Sequence, residues 1–590
     1  MNDKTKREIE KKINSLPKGI ITLKSINGRD YEYWQYREGG KQITKRVKGE
    51  ELEILKNQIE ERKRLEAQLS SGSDADTDRR DNHIEDEFLC HVRLGDELRA
   101  FSEMVKDYKR RDCFEELESY LYGEVSDRVL ILYGLRRTGK TTLIKQALVR
   151  MDSKTLSKAA FVQAGAFNTI ADLDKDLRKL EKVGIKYVFV DEVTLLGDFI
   201  ENSAILADIF ASSGMKLVLS GTDSLGFLFT QDEQLYDRAV FVHTTFIPYR
   251  EFDRVLGISG VDKYIQFGGT MSMGGVDYNK MQMPFANGRT TNEYVDTAIA
   301  KNIQHSLANY QYAGHFRGLT ELHEKNELTN VINRIVEDIN HRFVLEVIHS
   351  KFESHDLGIS RNNLRKDKTK PTDILDYVDE DEIIDRIMSL LDIKDASSDM
   401  IEIRESHLEE IKSYLYLMDL IENINVRSSQ SLSILRERIV FTQPGLRYSQ
   451  AEVLISALLQ DDVFRDTDIK ERNRIVNRVL SEIRGRMLED IVLLETKKRY
   501  PDKEVFVLQF PIGEFDMVVF DPKEITCRLY EVKHSDKAVP EQRRHLMDKD
   551  KCEYAQKQYG DIVEKCVLYY GDDCECDGVK YRNVEGYLRF

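Results

Sequence analysis

Residues 129–143 read VLILYGLRRTGKTTL, and no other stretch of the chain constrains its fold as strongly. Five apolar or aromatic residues in a row, Val129–Tyr133, form the pattern of a strand buried on both faces. They run directly into Gly134-x-x-x-x-Gly139-Lys140-Thr141, and the following TTLIKQALVRM carries helical spacing. Glycines let the backbone N–H groups of such a turn close around phosphate oxygens, and the helix behind it aims its positive end at the same anion. Gly134, Arg137, Thr138, Gly139, Lys140, Thr141 and Thr142 are therefore the candidate nucleotide-binding positions. Lys140 would reach the β- and γ-phosphates and Thr141 would ligate Mg²⁺. Arg136 and Arg137 would face either phosphate or a regulatory carboxylate.

From about 127 to 245, short β-rich runs alternate with helical patterns, as in a parallel sheet covered on both faces. The further strands are Ala159–Val162, Tyr187–Val190, Lys216–Leu219 and Ala239–Val242, and the helical stretches are Asp172–Val183 and Asn202–Ser213. Lys186-Tyr-Val-Phe-Val-Asp191-Glu192 is an apolar strand ending in two carboxylates, which puts both at the carboxyl edge where such sheets bind ligands. Asp191 would hold the Mg²⁺ shell, and Glu192 would orient and deprotonate the attacking water.

One extra strand (159–162) and a Glu adjoining the Asp resemble the additional-strand, catalytic-glutamate branch of P-loop ATPases. That resemblance implies ATP and Mg²⁺ as cofactors. It also implies a γ-phosphate reader at the tip of the 216–219 strand, where Ser220, Thr222 and Asp223 are candidates that spacing does not separate. Arg238 would supply transition-state charge, in cis or from a neighbouring subunit, unless it is simply a surface arginine.

A second constellation lies near the C-terminus. A helix (Arg474–Tyr500) carries Gly485-Arg-Met-Leu-Glu489, and strands follow at Val505–Phe510, Asp516–Phe520, Arg528–Val532 and Val567–Tyr570. On adjacent strands Asp516, Glu531 and Lys533 can converge, because residues two apart share a face. Asp516 and Glu531 would bind a divalent metal with Glu489 as a third acid, and Lys533 would activate water or steady a phosphodiester's charge. Asp516, Glu531-Val-Lys533 and the helix–strand–strand order resemble the PD-(D/E)xK nuclease superfamily, in which a glutamine such as Gln542 often follows.

The whole order is similar to a prokaryotic family that joins an AAA-type ATPase module to a nuclease-like C-terminal domain. It includes Tyr264-Ile-Gln-Phe-Gly-Gly and Ala298-Ile-Ala-Lys-Asn-Ile between the two ends. The resemblance implies ATP hydrolysis and DNA association over residues 100–590, but no cellular pathway.

The 590 residues predict three to five domains in an α/β multidomain protein. On this reading residues 1–69 are a small basic β-sheet/helix module and 70–95 a linker. Residues 96–255 are a P-loop ATPase core with a parallel sheet, and 256–345 a helical lid. Residues 346–474 are a helical region with room for a winged helix, and 475–590 a restriction-endonuclease-like α/β domain.

In the first module, Gly19–Ile26, Tyr31–Arg37 and Gln42–Val47 read as a three-stranded sheet with turns at Asn27-Gly28 and Gly39-Gly40, backed by a charged helix, Gly49–Gln68. Eight Lys/Arg against three acids over 18–48 reverse the sign of a chain whose formal charge is −16. With Tyr31, Tyr33, Trp34 and Tyr36 this unit looks like the arm-type DNA-binding modules of integrases, or else is a mini-core with a solvated face.

No run approaches the ~18 apolar residues of a membrane helix. MNDKTKREIEKK has no secretory pattern, and seven cysteines form no framework, so the expected setting is cytoplasmic, without membrane partners. DNA is the expected partner, and a homo-oligomer is compatible. Two functional readings stand: an ATPase that moves a nuclease domain, and a slow nucleotide switch whose nuclease-like domain only binds.

Overall fold

The computed structural model describes residues 88–590 apart from 125–126, 197, 223–226, 228–234, 236, 271–293, 301, 305–316, 326, 357–403, 431–435, 459–468 and 590; before residue 88 it describes 17, 20–26, 29–38, 41–46, 52, 55, 58 and 62. The chain forms two compact units, Met1–Glu87 and Phe88–Phe590.

In the first unit, β1 (Ile20–Ile26), β2 (Arg29–Glu38) and β3 (Lys41–Arg46) form an antiparallel meander. Ile26 pairs with Arg29 and Glu38 with Lys41, the register of hairpins with two-residue connections. Leu52 and Leu55 are buried against Trp34, which gives this sheet a small core. Most of the expected helix Gly49–Gln68, and residues 70–87 of the expected linker, lie outside the described residues.

The second unit starts inside that supposed linker. β4 (His91–Arg93) is an antiparallel edge strand on β6. The segment is fixed because the buried Asp176 carboxylate accepts the backbone N–H groups of Leu89 and Cys90. Next come α1 (Gly95–Glu103), α2 (Phe114–Tyr122), β5 (Val129–Tyr133), α3 (Lys140–Arg150), β6 (Ala159–Gln163), α4 (Ile170–Lys182), β7 (Tyr187–Asp191), β8 (Lys216–Gly221) and β9 (Ala239–His243). The sheet order is β4-β6-β7-β8-β5-β9, parallel apart from β4. In space, the strand that separates β5 from β7 is β8, whereas β6, which lies between them in sequence, sits on the far side of β7. Leu130, Leu132, Ile131, Val188 and Val190 are fully buried, as expected for strands covered on both faces. The expected helix Asn202–Ser213 is instead a short turn, Phe199–Asn202, and a π-helical turn, Leu206–Ala211.

Helices α5 (Tyr249–Leu256) and α6 (Val261–Phe267) lead away from the sheet. A second π turn, Val295–Ala300, then packs with α7 (Arg317–Glu324), α8 (Leu328–Asp356) and α9 (Glu405–Leu417) in a core that also includes Leu135.

The reading of 346–474 as helical needs correction. β10 (Ile421–Ser428) and β11 (Arg436–Phe441) form a hairpin there, followed by α10 (Pro444–Leu458). β10 runs parallel to β12, so the hairpin belongs to the C-terminal sheet. The rest of that sheet is β12 (Glu504–Gln509), β13 (Glu514–Asp521), β14 (Thr526–Val532), β15 (Asp561–Tyr569), β16 (Cys574–Cys576) and β17 (Val579–Asn583), in the order β11-β10-β12-β13-β14-β15-β17-β16. It packs with α11 (Ile469–Arg499), α12 (Lys549–Tyr559) and α13 (Val584–Arg589). One apolar core joins Phe246, Tyr249 and Phe252 to Leu488, Val492, Met517 and Val532. Among the described residues no helix is long and apolar enough to cross a membrane.

Candidate functional site

The loop after β5 is shaped by two glycines. Gly134 has φ 142°, and a Cβ there would lie 2.4 Å from the Thr244 carbonyl oxygen, so no side chain fits. Gly139, at φ 93°, precedes the first turn of α3, where Thr142 is half-buried. Thr138 turns its hydroxyl inward, donating to the Leu135 carbonyl and meeting the Thr244 hydroxyl, each at 2.8 Å. Arg137, at φ 65°, holds its guanidinium 5.7 Å from the centre of the Tyr294 ring, against the helical region. The Thr138 and Arg137 side chains are thus engaged by protein, leaving their backbone N–H groups for a ligand. Arg136 is exposed.

Lys140 is buried, and its ammonium donates to the Gly134 and Leu135 carbonyls at 2.7 and 2.8 Å. Burial pulls its pKa down to about 8, against the upward pull of Glu192 and Asp191. Thr141 donates its hydroxyl to Asp191 Oδ2 at 2.8 Å. Asp191 Oδ1 accepts from the Ser220 hydroxyl and, at 3.2 Å, from the Glu192 N–H. Glu192 has φ 55°, and its Oε2 accepts from Thr222 at 3.3 Å. Burial raises the Glu192 carboxyl above its ordinary range, opposed chiefly by Lys140. Ser220 and Thr222 thus contact different acids; Asp223 lies outside the described residues. The cradle fits Mg·ATP by its donor set: glycine backbone ahead of a helix N-terminus, a buried ammonium, and a hydroxyl–carboxylate pair of the hard oxygens Mg²⁺ takes.

Arg238 cannot serve this site in cis. Ala239 pairs with Val129 and His243 with Tyr133, while the Arg238 carbonyl accepts the Val129 N–H at 3.0 Å. Arg238 therefore sits at the amino edge of the sheet, about 20 Å of strand from Gly134 and out of side-chain reach. It pairs with Asp208 at 2.9 Å.

Two contributors escaped the sequence. Asn302 donates to the Thr222 carbonyl at 2.9 Å, linking the helical region to the tip of β8. Arg111 lies buried beneath the loop. It pairs with Glu251 and donates to the carbonyls of Thr138 (2.9 Å), Thr245 (3.0 Å) and Phe246 (3.1 Å). No periodicity marks a single arginine in KRRDCF, so only the fold identifies it.

The C-terminal residues converge as well. Met517 pairs with Tyr530 across β13 and β14, a register that brings Asp516 beside Glu531. Lys533 bridges Asp516 (2.8 Å) and Glu531 (2.7 Å), and Asp516 also accepts the Val532 N–H at 2.8 Å. Burial drives Glu531 well above the usual carboxylate range, with Asp516 adding to it. Despite its burial Asp516 stays below that range, held there by Lys533.

Among the described residues, the trio of acids whose oxygens all lie within 4.8 Å of one another is Glu489, Glu514 and Asp516. Glu531 turns Oε2 to Lys533 and keeps Oε1 buried without a partner, while Glu514, which sequence reasoning missed, joins the cluster. Glu514 stands two residues before Asp516 on β13, a spacing legible in GEFD. Arg486, one turn before Glu489, pairs with Glu489 at 2.6 Å and Glu514 at 3.4 Å. Gln542 is a buried structural residue, bonded to the Val539 N–H and the Lys537 carbonyl.

Residues 126–253 match the family model described as AAA domain, a span that contains every nucleotide-site residue above except Arg111, Tyr294 and Asn302. This segment is an AAA-type P-loop module. No curated protein matches the chain. Among solved structures, the chain is similar to the ORC1 protein of Aeropyrum pernix in complex with DNA, at 14% identity over 63% of this chain and 98% of that chain, with a TM-score of 0.21.

Proposed function

We propose that the protein is a Mg²⁺-dependent ATPase acting on DNA, and that its C-terminal sheet carries a metal-dependent, nuclease-like site. The observation that carries the ATPase reading is the Thr141–Asp191 hydrogen bond beside buried Lys140. It joins the loop and the paired acids at one edge of the sheet. Bound there, Mg·ATP supplies the phosphoanhydride to be cleaved and the cation that offsets its charge. Lys140 exchanges loop carbonyls for phosphate oxygens, Thr141 and Asp191 hold the Mg²⁺ shell, and Ser220 keeps Asp191 oriented. Glu192, held by Thr222, takes the proton of the attacking water.

In the C-terminal domain, Glu489, Glu514 and Asp516 offer the oxygen donors of a divalent ion, which would lower the pKa of a bound water and steady phosphodiester charge. Lys533 positions Asp516 and Glu531 beside it. The basic sheet at the N-terminus adds the charge that a DNA backbone takes. Glu192→Gln should retain ATP binding and lose turnover; unchanged turnover removes Glu192 as the base. Wild type should nick plasmid with Mg²⁺ and Lys533→Ala should not. Equal activity in both, or none in either, removes the nuclease assignment. DNA-stimulated ATP turnover would tie the two halves together.

The slow-switch reading draws on Glu192 being tied to Thr222, and through the Thr222 carbonyl to Asn302 of the helical region. It predicts turnover unaffected by DNA. Arg238 could act only on a neighbouring copy in a homo-oligomer. Mixing Arg238→Ala with Glu192→Gln chains would then restore turnover that neither has alone.

A further inference from the structure

We propose that Arg486 is a built-in counter-cation which a divalent metal must displace, and that the displaced guanidinium then grips a phosphate of the DNA. The inference rests on the metal-dependent reading of the Glu489–Glu514–Asp516 cluster. Three carboxylates so close repel one another unless positive charge stands among them. Arg486 supplies it: the same nitrogen, Nη1, lies 2.6 Å from Glu489 Oε2 and 3.4 Å from Glu514 Oε1. It therefore lies against two of the three donors, Glu489 and Glu514, where a metal ion would compete with it for their oxygens.

The other two cations nearby meet the cluster at Glu489 and Asp516, and neither is paired with Glu514. Arg438 reaches Glu489 at only 3.5 Å, is also bound to Asp490 and to the Arg486 carbonyl, and is 10% exposed. Lys533 is held by Asp516 and Glu531. Arg486 is 30% exposed and can swing outward. A small divalent ion outcompetes a guanidinium for hard oxygens once the arginine has another anion to bind. A phosphodiester is that anion, because the planar fork of arginine matches two phosphate oxygens. Metal loading and DNA capture would thus favour one another: without DNA the arginine competes with the metal, and with DNA it is drawn out.

Mn²⁺ binding to the full-length chain without nucleotide tests this, read by electron paramagnetic resonance, with Asp516→Ala defining the contribution of this site. Arg486→Ala and Arg486→Gln should bind Mn²⁺ there about tenfold more tightly than wild type, because the competing charge-assisted hydrogen bond is gone. Arg486→Lys should stay near wild type for Mn²⁺ yet bind duplex DNA in Ca²⁺ more weakly, having lost the fork. Thermal midpoints in chelator verify that each variant folds. Equal Mn²⁺ affinity in wild type and Arg486→Ala, with the Asp516 dependence intact, overturns the role of Arg486 and leaves the metal site standing. No Asp516-dependent binding in any variant overturns the metal reading itself.

Discussion

Replacing Arg111 by methionine removes a guanidinium that is only 4% exposed and leaves the Glu251 carboxylate, 3% exposed, with one weak donor, the Asp112 N–H at 3.3 Å. Taking one partner from a buried ion pair costs roughly 3–5 kcal/mol, most of it the isolated charge left behind. The carbonyls of Thr138, Thr245 and Phe246 also lose their donors, which adds to the cost without summing simply. Spread over the whole second unit, Phe88–Phe590, that loss lowers the melting midpoint by about 3–5 °C.

Glu251→Leu alone should do comparable damage by stranding Arg111. The double variant Arg111→Met/Glu251→Leu should recover much of the lost stability, since neither charge remains buried. ATP affinity should not recover with it, because the Thr138 carbonyl inside the loop still lacks its donor. Differential scanning fluorimetry and titration with a fluorescent nucleotide separate the two quantities. The reasoning fails if Arg111→Met costs less than about 1 kcal/mol, or if the double variant regains wild-type nucleotide affinity.

Lys140 has a pKa of about 8 in the unliganded protein, and phosphate should raise it, so binding at pH 8.5 takes up a proton. ATP affinity should then weaken as pH rises from 7 to about 9.5, and observed heats at pH 8.5 should differ between buffers of different ionisation enthalpy; identical uncorrected heats in all buffers would contradict it. Glu495 is a buried acid on α11 that accepts the Tyr249 N–H at 2.6 Å, and burial raises its pKa to about 7. The folded state thus holds that proton more tightly than the unfolded chain. The stabilisation, about 3 kcal/mol, is complete below the ordinary carboxylate pKa and is lost as pH climbs through about 7. Glu495→Gln should lose less stability than wild type between pH 5 and 8; parallel curves would refute this.

The sheet of the ATPase module was legible because its strands are short, unbroken apolar runs. Val129–Tyr133 matches β5, and the other expected strands fall one or two residues short of β6–β9. β4 was not legible, since three residues (HVR) carry no pattern, and it is held by Asp176 from a distant helix. β10, IENINVRS, mixes apolar with polar residues, but it follows directly on the helix α9, whose spacing masked the change of period. Among the residues that converge in the two candidate sites, those on local motifs could be picked out from the sequence: Lys140, Thr141, Asp191, Glu192, Asp516 and Lys533. Arg111, Glu251 and Asn302 contribute through contacts 27 to 140 residues away, which no local pattern encodes. Arg238 misled because spacing says how far a residue lies from a motif, not on which edge of the sheet it emerges.

The core shared by Phe246, Tyr249 and Phe252 with Leu488, Met517 and Val532 has a practical consequence. A cut at 475, where the sequence alone suggests a boundary, would sever α11 near its start and separate β10–β11 from the strands beside them. Each fragment would expose a broad apolar face and tend to aggregate. The two halves should instead be produced as one polypeptide, and heating should melt them together in a single transition.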